Sequence, residues 1–329
     1  MQQLDTLKPT VLNAAELPEW TRAELRALFN VIDLPKDPGA AAALLAKHGH
    51  QVRGIALRKT KIDAAFLDAV PAVEIISSYS AGLDNLDVQI ATSRGIAIEN
   101  TSHILAEDVA NAAVGLALAV TRDFINADAF VRTATWPAHG QYPLGRSLSR
   151  MKVGIVGLGT IGSAIAKRLQ AFGSKLAYFG PSRKPVDIPY YDDVVRLASD
   201  CDMLILTCPL SPATHHLVNA AVLDALGPRG YLVNISRGPV VDEAALIAAL
   251  AQDGIAGAAL DVFEHEPIVP EALIHDRRVV LTPHIGSATG ETRRSMAENV
   301  VDTLARHFGL RGPRDRDDAQ ADAAVESLG

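Results

Sequence analysis

An α/β fold built on two parallel sheets is predicted by three features of this 329-residue chain. Short apolar runs of strand length alternate with alanine-rich helical patterns along most of the chain, the mark of repeated strand–helix–strand units. The runs fall into two sets separated by one long alanine-rich helix. A glycine-rich turn stands between a strand and a helix at the head of the second set. The length suits two domains at about 100–200 residues each, and a composition 48% hydrophobic and 21% charged can fill a sizeable core.

The first set places strands at 10–14, 30–34, 52–57, 73–78 and 96–98, with helices around 20–29, 38–48 and 62–69. Residues 104–121 (ILAEDVANAAVGLALAVT) follow as a helix whose small side chains allow close packing, and the chain crosses between domains here. From Met151 the second set places strands near 151–156, 175–179, 203–207, 230–235, 256–260 and 279–282. Six parallel strands with intervening helices suit a doubly wound, Rossmann-like dinucleotide-binding sheet. After His284 an amphipathic helix, about 290–307, returns to the first domain. The expected division is therefore 1–103 with 288–329, and 104–287 between them. The tail from 311 (RGPRDRDDAQADAAVESLG) reads as solvated.

Thirty-one Lys and Arg stand against 38 Asp and Glu, for a formal charge of −7, with no long basic run. A nucleic-acid or anionic-membrane partner has little electrostatic support. The N-terminus (MQQLDTLKPT) lacks a positive segment followed by an apolar one, and apolar stretches such as 109–120 fall short of a membrane span. A cytoplasmic protein is expected. Cys201 and Cys208, beside the strand-like run DMLILT, suit reduced core thiols better than a disulfide or a metal site, and no metal is expected.

The segment MKVGIVGLGTIGSAIAKRLQAFG carries Gly157, Gly159 and Gly162 as G-x-G-x-x-G, directly after an apolar strand and opening a helix. Gly157 permits the tight turn, Gly159 lets backbone approach a pyrophosphate and Gly162 lets the helix pack closely, while Thr160 and Ile161 offer amides at the helix N-terminus. A glycine-rich turn without a ligand is the plain alternative, which the strand–turn–helix context disfavours. The end of the second strand normally carries Asp or Glu in an NAD site, to bond the ribose 2′-hydroxyl. Here KLAYFGPSRK puts Gly180 there, followed by Ser182, Arg183 and Lys184. One hydroxyl and two cations suit a 2′-phosphate, so NADP(H) is expected to be preferred and NAD(H) to bind more weakly. The bland alternative is a solvated basic loop.

Three later segments, LVNISRGPVVDE, AALDVFEHEP and VVLTPHIGS, each put a polar residue after an apolar strand, where open α/β sheets bind ligands. Arg237 follows the first, Glu266 the second and His284 the third. A guanidinium can hold a carboxylate bidentately and polarise an adjacent ketone. A carboxylate beside a histidine favours its charged form, which can donate a proton to a carbonyl oxygen. Taken singly, each has a dull reading: a surface ion pair, a loop carboxylate, a strand-end hydrogen bonder.

In order along the chain, SSYSAGLDNLD, LAEDVANAAVGLALAVTR, GLGTIG, YFGPSRK, CPLSPATHH, LVNISRGPVVDEAAL, LDVFEHEP and PHIGSAT resemble the D-isomer-specific 2-hydroxyacid dehydrogenases over roughly residues 50–308, most closely their NADPH-dependent glyoxylate and hydroxypyruvate reductases. The resemblance implies a smaller, flavodoxin-like substrate domain beside the dinucleotide-binding one. It implies Arg237 on the substrate carboxylate and carbonyl, Glu266 paired to His284, and His284 as acid/base. It further implies Ser80, Ala81 and Gly82 as amide donors to the substrate carboxylate, Asp261 at the nicotinamide carboxamide, and Pro209 of CPLSPATHH among the cofactor-binding residues. The implied partners are a 2-keto acid and, in a homodimer, a second copy met through the 104–121 helix and the segment around Trp136. Taken alone, Gly82 is a turn glycine, Asp261 a strand-end cap and Trp136 a core anchor. The implied reaction is NADPH-dependent reduction of glyoxylate or hydroxypyruvate to the D-2-hydroxy acid. A reductase of bulkier acids, such as 2-ketogluconate or phenylpyruvate, and a non-catalytic dinucleotide sensor are the rivals. His103, His139, His215, His216 and His265 lack the strand-end and carboxylate setting of His284 and read as peripheral. The first fifty residues and the charged tail carry no family motif.

Overall fold

A computed structural model describes residues 8–311, so the charged tail beyond Arg311 lies outside the described residues. The chain forms two compact units, one made by described residues up to Leu105 together with those from Thr289, the other by Ala106–Ala288.

The first unit holds five strands, β1 (Thr10–Ala14), β2 (Asn30–Asp33), β3 (Val52–Leu57), β4 (Ile75–Ser78) and β5 (Ala97–Glu99), in the order β2-β1-β3-β4-β5 with all neighbours parallel. This is the flavodoxin-like order. β4 is buried throughout and β3 at all but one residue, which is why these strands read as continuous apolar runs rather than alternating ones. Helix Gly290–His307 packs against this sheet through Met296, Ala297, Val300, Val301 and Leu304, all nearly inaccessible. Gly54 makes room for it, since a Cβ there would lie 3.0 Å from Leu304 Cδ2.

The second unit holds β6 (Lys152–Val156), β7 (Lys175–Phe179), β8 (Tyr190–Tyr191), β9 (Met203–Leu206), β10 (Tyr231–Asn234), β11 (Gly257–Leu260) and β12 (Val279–Leu281). Their order is β12-β11-β10-β9-β6-β7-β8, again all parallel. The chain runs outward from β6 in both directions, so the boundary between β6 and β9 is the topological switch point at whose C-terminal side ligands bind in doubly wound sheets. Leu204, Ile205, Leu206, Leu232 and Val233 are fully buried between helices that cover both faces. Helix starts follow local chemistry: Asp37, Asp63, Asp193 and Asp242 each accept the backbone amide three residues on, a cap worth about 1 kcal/mol.

The structure departs from the sequence expectation in a few places. β8 is a seventh strand of two residues, too short to carry a pattern. The alanine-rich helix runs Ser102–Arg122, and Asp123, with φ 54°, separates it from a further helix, Phe124–Arg132. Ser102–Arg122, 21 residues with an 18-residue window of mean hydropathy 1.5, is long and apolar enough to cross a membrane, contrary to the shorter apolar stretch expected there. Over half of its most apolar window is buried inside the protein, with Ala110, Ala113 and Ala117 fully so, as in the core helix of a globular domain. Trp136 is 57% exposed and is no core anchor. Cys201 and Cys208 are free and buried, and burial pushes their thiols up to about 12 and about 11.

Candidate active site

The glycine turn follows β6. Gly157 adopts φ +100°, and a Cβ there would come within 2.8 Å of the Cys208 amide nitrogen in the loop after β9. A Cβ on Gly162 would come within 2.2 Å of the Gly157 carbonyl oxygen. Both glycines are therefore required by the chain's contact with itself. Gly159 differs: a Cβ there would meet nothing within 4 Å. It precedes helix Thr160–Ala171, whose N-terminus has no side-chain cap. Among the described residues the Thr160 and Ile161 amides donate to no acceptor, so two donors at the positive end of a helix border open space. Such an arrangement is able to hold a pyrophosphate, and the residues present fit a dinucleotide.

β7 ends at Phe179, and Gly180 follows with its carbonyl accepting the Tyr190 hydroxyl at 3.2 Å. Tyr178 is buried under this loop and its hydroxyl accepts the Lys184 amide at 2.6 Å, so the loop backbone is held in place. Ser182, Arg183 and Lys184 are exposed, and among the described residues neither cation has an ion-pair partner. Pro209 lies exposed on the loop after β9, its carbonyl accepting the Thr214 hydroxyl at 2.7 Å.

Arg237, Glu266 and His284 come from the C-terminal ends of β10, β11 and β12. Asn234 pairs with Leu260 and Leu260 with Leu281, so the three strand ends lie side by side. Glu266 Oε2 and His284 Nδ1 are 2.8 Å apart, and Glu266 Oε1 accepts the Phe263 amide at 3.2 Å. Arg237 is half-buried and its Nη1 donates to the Ser236 carbonyl at 2.7 Å. The backbone after Arg237 rests directly on the Glu266 segment: a Cβ on Gly238 would lie 1.9 Å from Phe263 C and O.

Asp261 is only 2% exposed and organises the histidine loop. Its Oδ1 accepts the Thr282 hydroxyl at 2.6 Å and the Ile285 amide at 2.8 Å, while Oδ2 accepts the Gly286 amide at 2.8 Å. The Asp261 carbonyl accepts the His284 amide, also at 2.8 Å. His284 itself adopts φ +55°, a left-handed backbone that non-glycine residues seldom take, and these bonds hold it there.

Two supporting residues are absent from the sequence expectation. Asn234 is buried, its Oδ1 accepting the Ser236 amide at 3.0 Å and its Nδ2 donating to the Arg237 carbonyl at 3.0 Å. The N-I-S spacing is that of an Asx turn, a local signal that marks it. Glu243 is buried under the Glu266 segment and accepts the Glu264 amide at 2.8 Å; burial pushes its carboxyl up, and the amide bond opposes that. No local signal announces this contact, because the two residues are 21 positions apart.

Ser80, Ala81 and Gly82 lie in the first unit, in the turn after β4. The Ser80 amide donates to Ser78 Oγ at 3.2 Å, whereas the amides of Ala81 and Gly82 have no acceptor among the described residues. His103, His139 and His265 are exposed and outside the strand-end group. His216 Nε2 lies 2.8 Å from Glu264 Oε1.

Comparison with known proteins gives a consistent picture. The D-isomer specific 2-hydroxyacid dehydrogenase NAD binding domain matches residues 114–286. The chain is 43% identical over 300 residues to a hydroxyphenylpyruvate reductase of Plectranthus scutellarioides, covering 91% of this chain and 95% of that one. A glyoxylate/hydroxypyruvate reductase of Arabidopsis thaliana matches to the same extent, 43% over 300 residues with the same coverage. Among solved structures, an NADPH-dependent glyoxylate/hydroxypyruvate reductase of Sinorhizobium meliloti, in complex with NADP and malonate, is 40% identical with a TM-score of 0.83, covering 92% of this chain and 94% of that one.

Proposed function

Because this chain belongs to the D-isomer specific 2-hydroxyacid dehydrogenase family, we propose that it converts a small 2-keto acid, NADPH and a proton to the D-2-hydroxy acid and NADP⁺, with glyoxylate and hydroxypyruvate as substrates. The observation that carries this reading is the 2.8 Å Glu266–His284 contact, one strand away from Arg237. With Nδ1–H directed at Glu266, His284 Nε2 is the ring position from which a proton reaches the carbonyl oxygen. Arg237 holds the substrate carboxylate and polarises the neighbouring carbonyl. The amides of Ser80, Ala81 and Gly82 are proposed as additional carboxylate donors. When bound, NADPH supplies the hydride received by the keto carbon. Gly157, Gly159, Thr160, Ile161, Gly162 and Pro209 would hold its pyrophosphate side, and Asp261, whose oxygens retain accepting capacity beyond the loop bonds, its carboxamide. Exposed apolar side chains at Phe124, Ile125, Val131, Trp136 and Leu144 support a homodimer that covers them.

Initial rates of reduced-cofactor loss, with NADPH and NADH each tested against glyoxylate, hydroxypyruvate, 2-ketogluconate and phenylpyruvate, test the reading. Fast NADPH oxidation with the two small acids is expected. The similarity to a hydroxyphenylpyruvate reductase favours a second reading, with a bulkier acid as substrate and the same machinery, since pocket walls set that choice. A rate advantage for phenylpyruvate would establish it, and silence in every pairing would overturn both.

The preference for NADPH is proposed to rest on Arg183 and Lys184, the exposed cations after β7. Neutralising them together, Arg183→Gln with Lys184→Gln, should raise KM for NADPH by roughly 10–100-fold, given about 1.5–3 kcal/mol for a hydrogen bond to a charged group, and leave KM for NADH nearly unchanged. Equal effects on the two cofactors would show that this loop does not contact the 2′-phosphate.

A further inference from the structure

We infer that His215, His216 and Glu264 form a binding site for one divalent transition-metal ion, zinc in particular. Neither the proposed reductase activity nor any residue assigned to it requires such a site.

The three side chains arrive from two loops. His215 and His216 end the turn after β9, and Glu264 lies in the segment after β11, 48 residues further on. Consecutive side chains in extended backbone point to opposite sides. Here His216 takes φ +50°, and the two rings lie on the same side, stacked with centroids 4.0 Å apart and planes 28° apart. Glu264 closes the group, and one potential ligand atom from each residue falls within 4.8 Å of the other two.

Both backbones are fixed independently of any ion. The His216 amide donates to the Pro239 carbonyl at 2.8 Å and the Val218 amide to the Val240 carbonyl at 3.0 Å, pinning the histidine turn to the chain after Arg237. On the other side, the Glu264 amide donates to buried Glu243 at 2.8 Å. The side chains themselves are exposed or half-exposed, so an ion reaches them from solvent. Zinc bonds of about 2.0–2.2 Å in a tetrahedron place ligand atoms about 3.3–3.5 Å apart, so the three side chains, whose ligand atoms lie within 4.8 Å of one another, draw closer together on binding. Two imidazole nitrogens and one carboxylate oxygen are a zinc-like donor set, with water in the fourth position. The ion replaces the His216–Glu264 hydrogen bond and takes the lone pair of each neutral ring, so any proton on those nitrogens leaves on binding.

Full-length protein stripped with a chelator and titrated with Zn²⁺ against a chromophoric indicator is expected to take up one equivalent per chain. His215→Ala and Glu264→Gln should each weaken uptake at least tenfold, while His139→Ala, a change at an exposed histidine elsewhere, should leave it unchanged. His216 is left intact because its left-handed backbone would confound the result. Co²⁺ in place of zinc should give the visible absorption of a four-coordinate site in the wild type and lose it in His215→Ala. Circular dichroism of both variants checks that they fold. No stoichiometric uptake by the folded wild type, or wild-type affinity in both variants, would overturn the site.

Discussion

His284→Ala is expected to lower kcat for NADPH-dependent glyoxylate reduction by roughly 10²–10⁴-fold, the usual contribution of a positioned acid or base, with NADPH affinity near that of the wild type. The proposed role predicts this split. The ring reaches the site from β12 and is oriented through Glu266, while the glycine turn and the basic loop that would hold the cofactor belong to β6 and β7. A stopped-flow single turnover with prebound NADPH separates the chemical step from product release. Retention of most of the wild-type single-turnover rate would remove His284 from the role of proton donor. Glu266→Gln keeps the shape of the partner and removes its charge, so its rate should fall between the two.

Arg237→Lys is expected to lower kcat/KM for glyoxylate by roughly 10²-fold, because an ammonium replaces the planar fork that grips a carboxylate at two points, and each hydrogen bond to a charged group carries about 1.5–3 kcal/mol. Since the guanidinium is proposed to touch both carboxylate and carbonyl, KM should rise and kcat should fall together. The measurement is a full saturation curve, with guanidinium ion added to a second variant, Arg237→Ala, as a rescue. A raised KM with unaltered kcat would restrict Arg237 to carboxylate binding, and no change in either would remove it from the site.

Much of this was legible in the sequence because parallel strands buried on both faces carry their signal locally. MLIL at β9 and YLVN at β10 stand out as apolar runs, and the residues following such runs are found at strand ends. Arg237, Glu266 and His284 were locatable by that rule, as was the glycine turn. What escaped was of two kinds. β8 and the break at Asp123 are too short to produce a period. The Glu243–Glu264 bond, the His216–Glu264 pair and the loop bonds made by Asp261 join segments 21 to 48 residues apart, and nothing in the intervening sequence records them. Asp261 shows the limit well: as a strand-end residue it was visible, but its hold on the histidine loop appears only when β11 and β12 are laid side by side.

The three glycines of the cofactor turn differ in what would preserve them as the sequence drifts. Gly157 and Gly162 are hemmed in by the chain itself, so a lineage that abandoned dinucleotide use would still have to keep both in order to fold. Gly159 has an extended backbone open to any residue and empty space where its side chain would go. In the proposed role of this turn, a bound pyrophosphate is what forbids a side chain there. In a descendant chain, a residue larger than glycine at 159, with 157 and 162 unchanged, would be an early record that the cofactor had been lost while the fold survived.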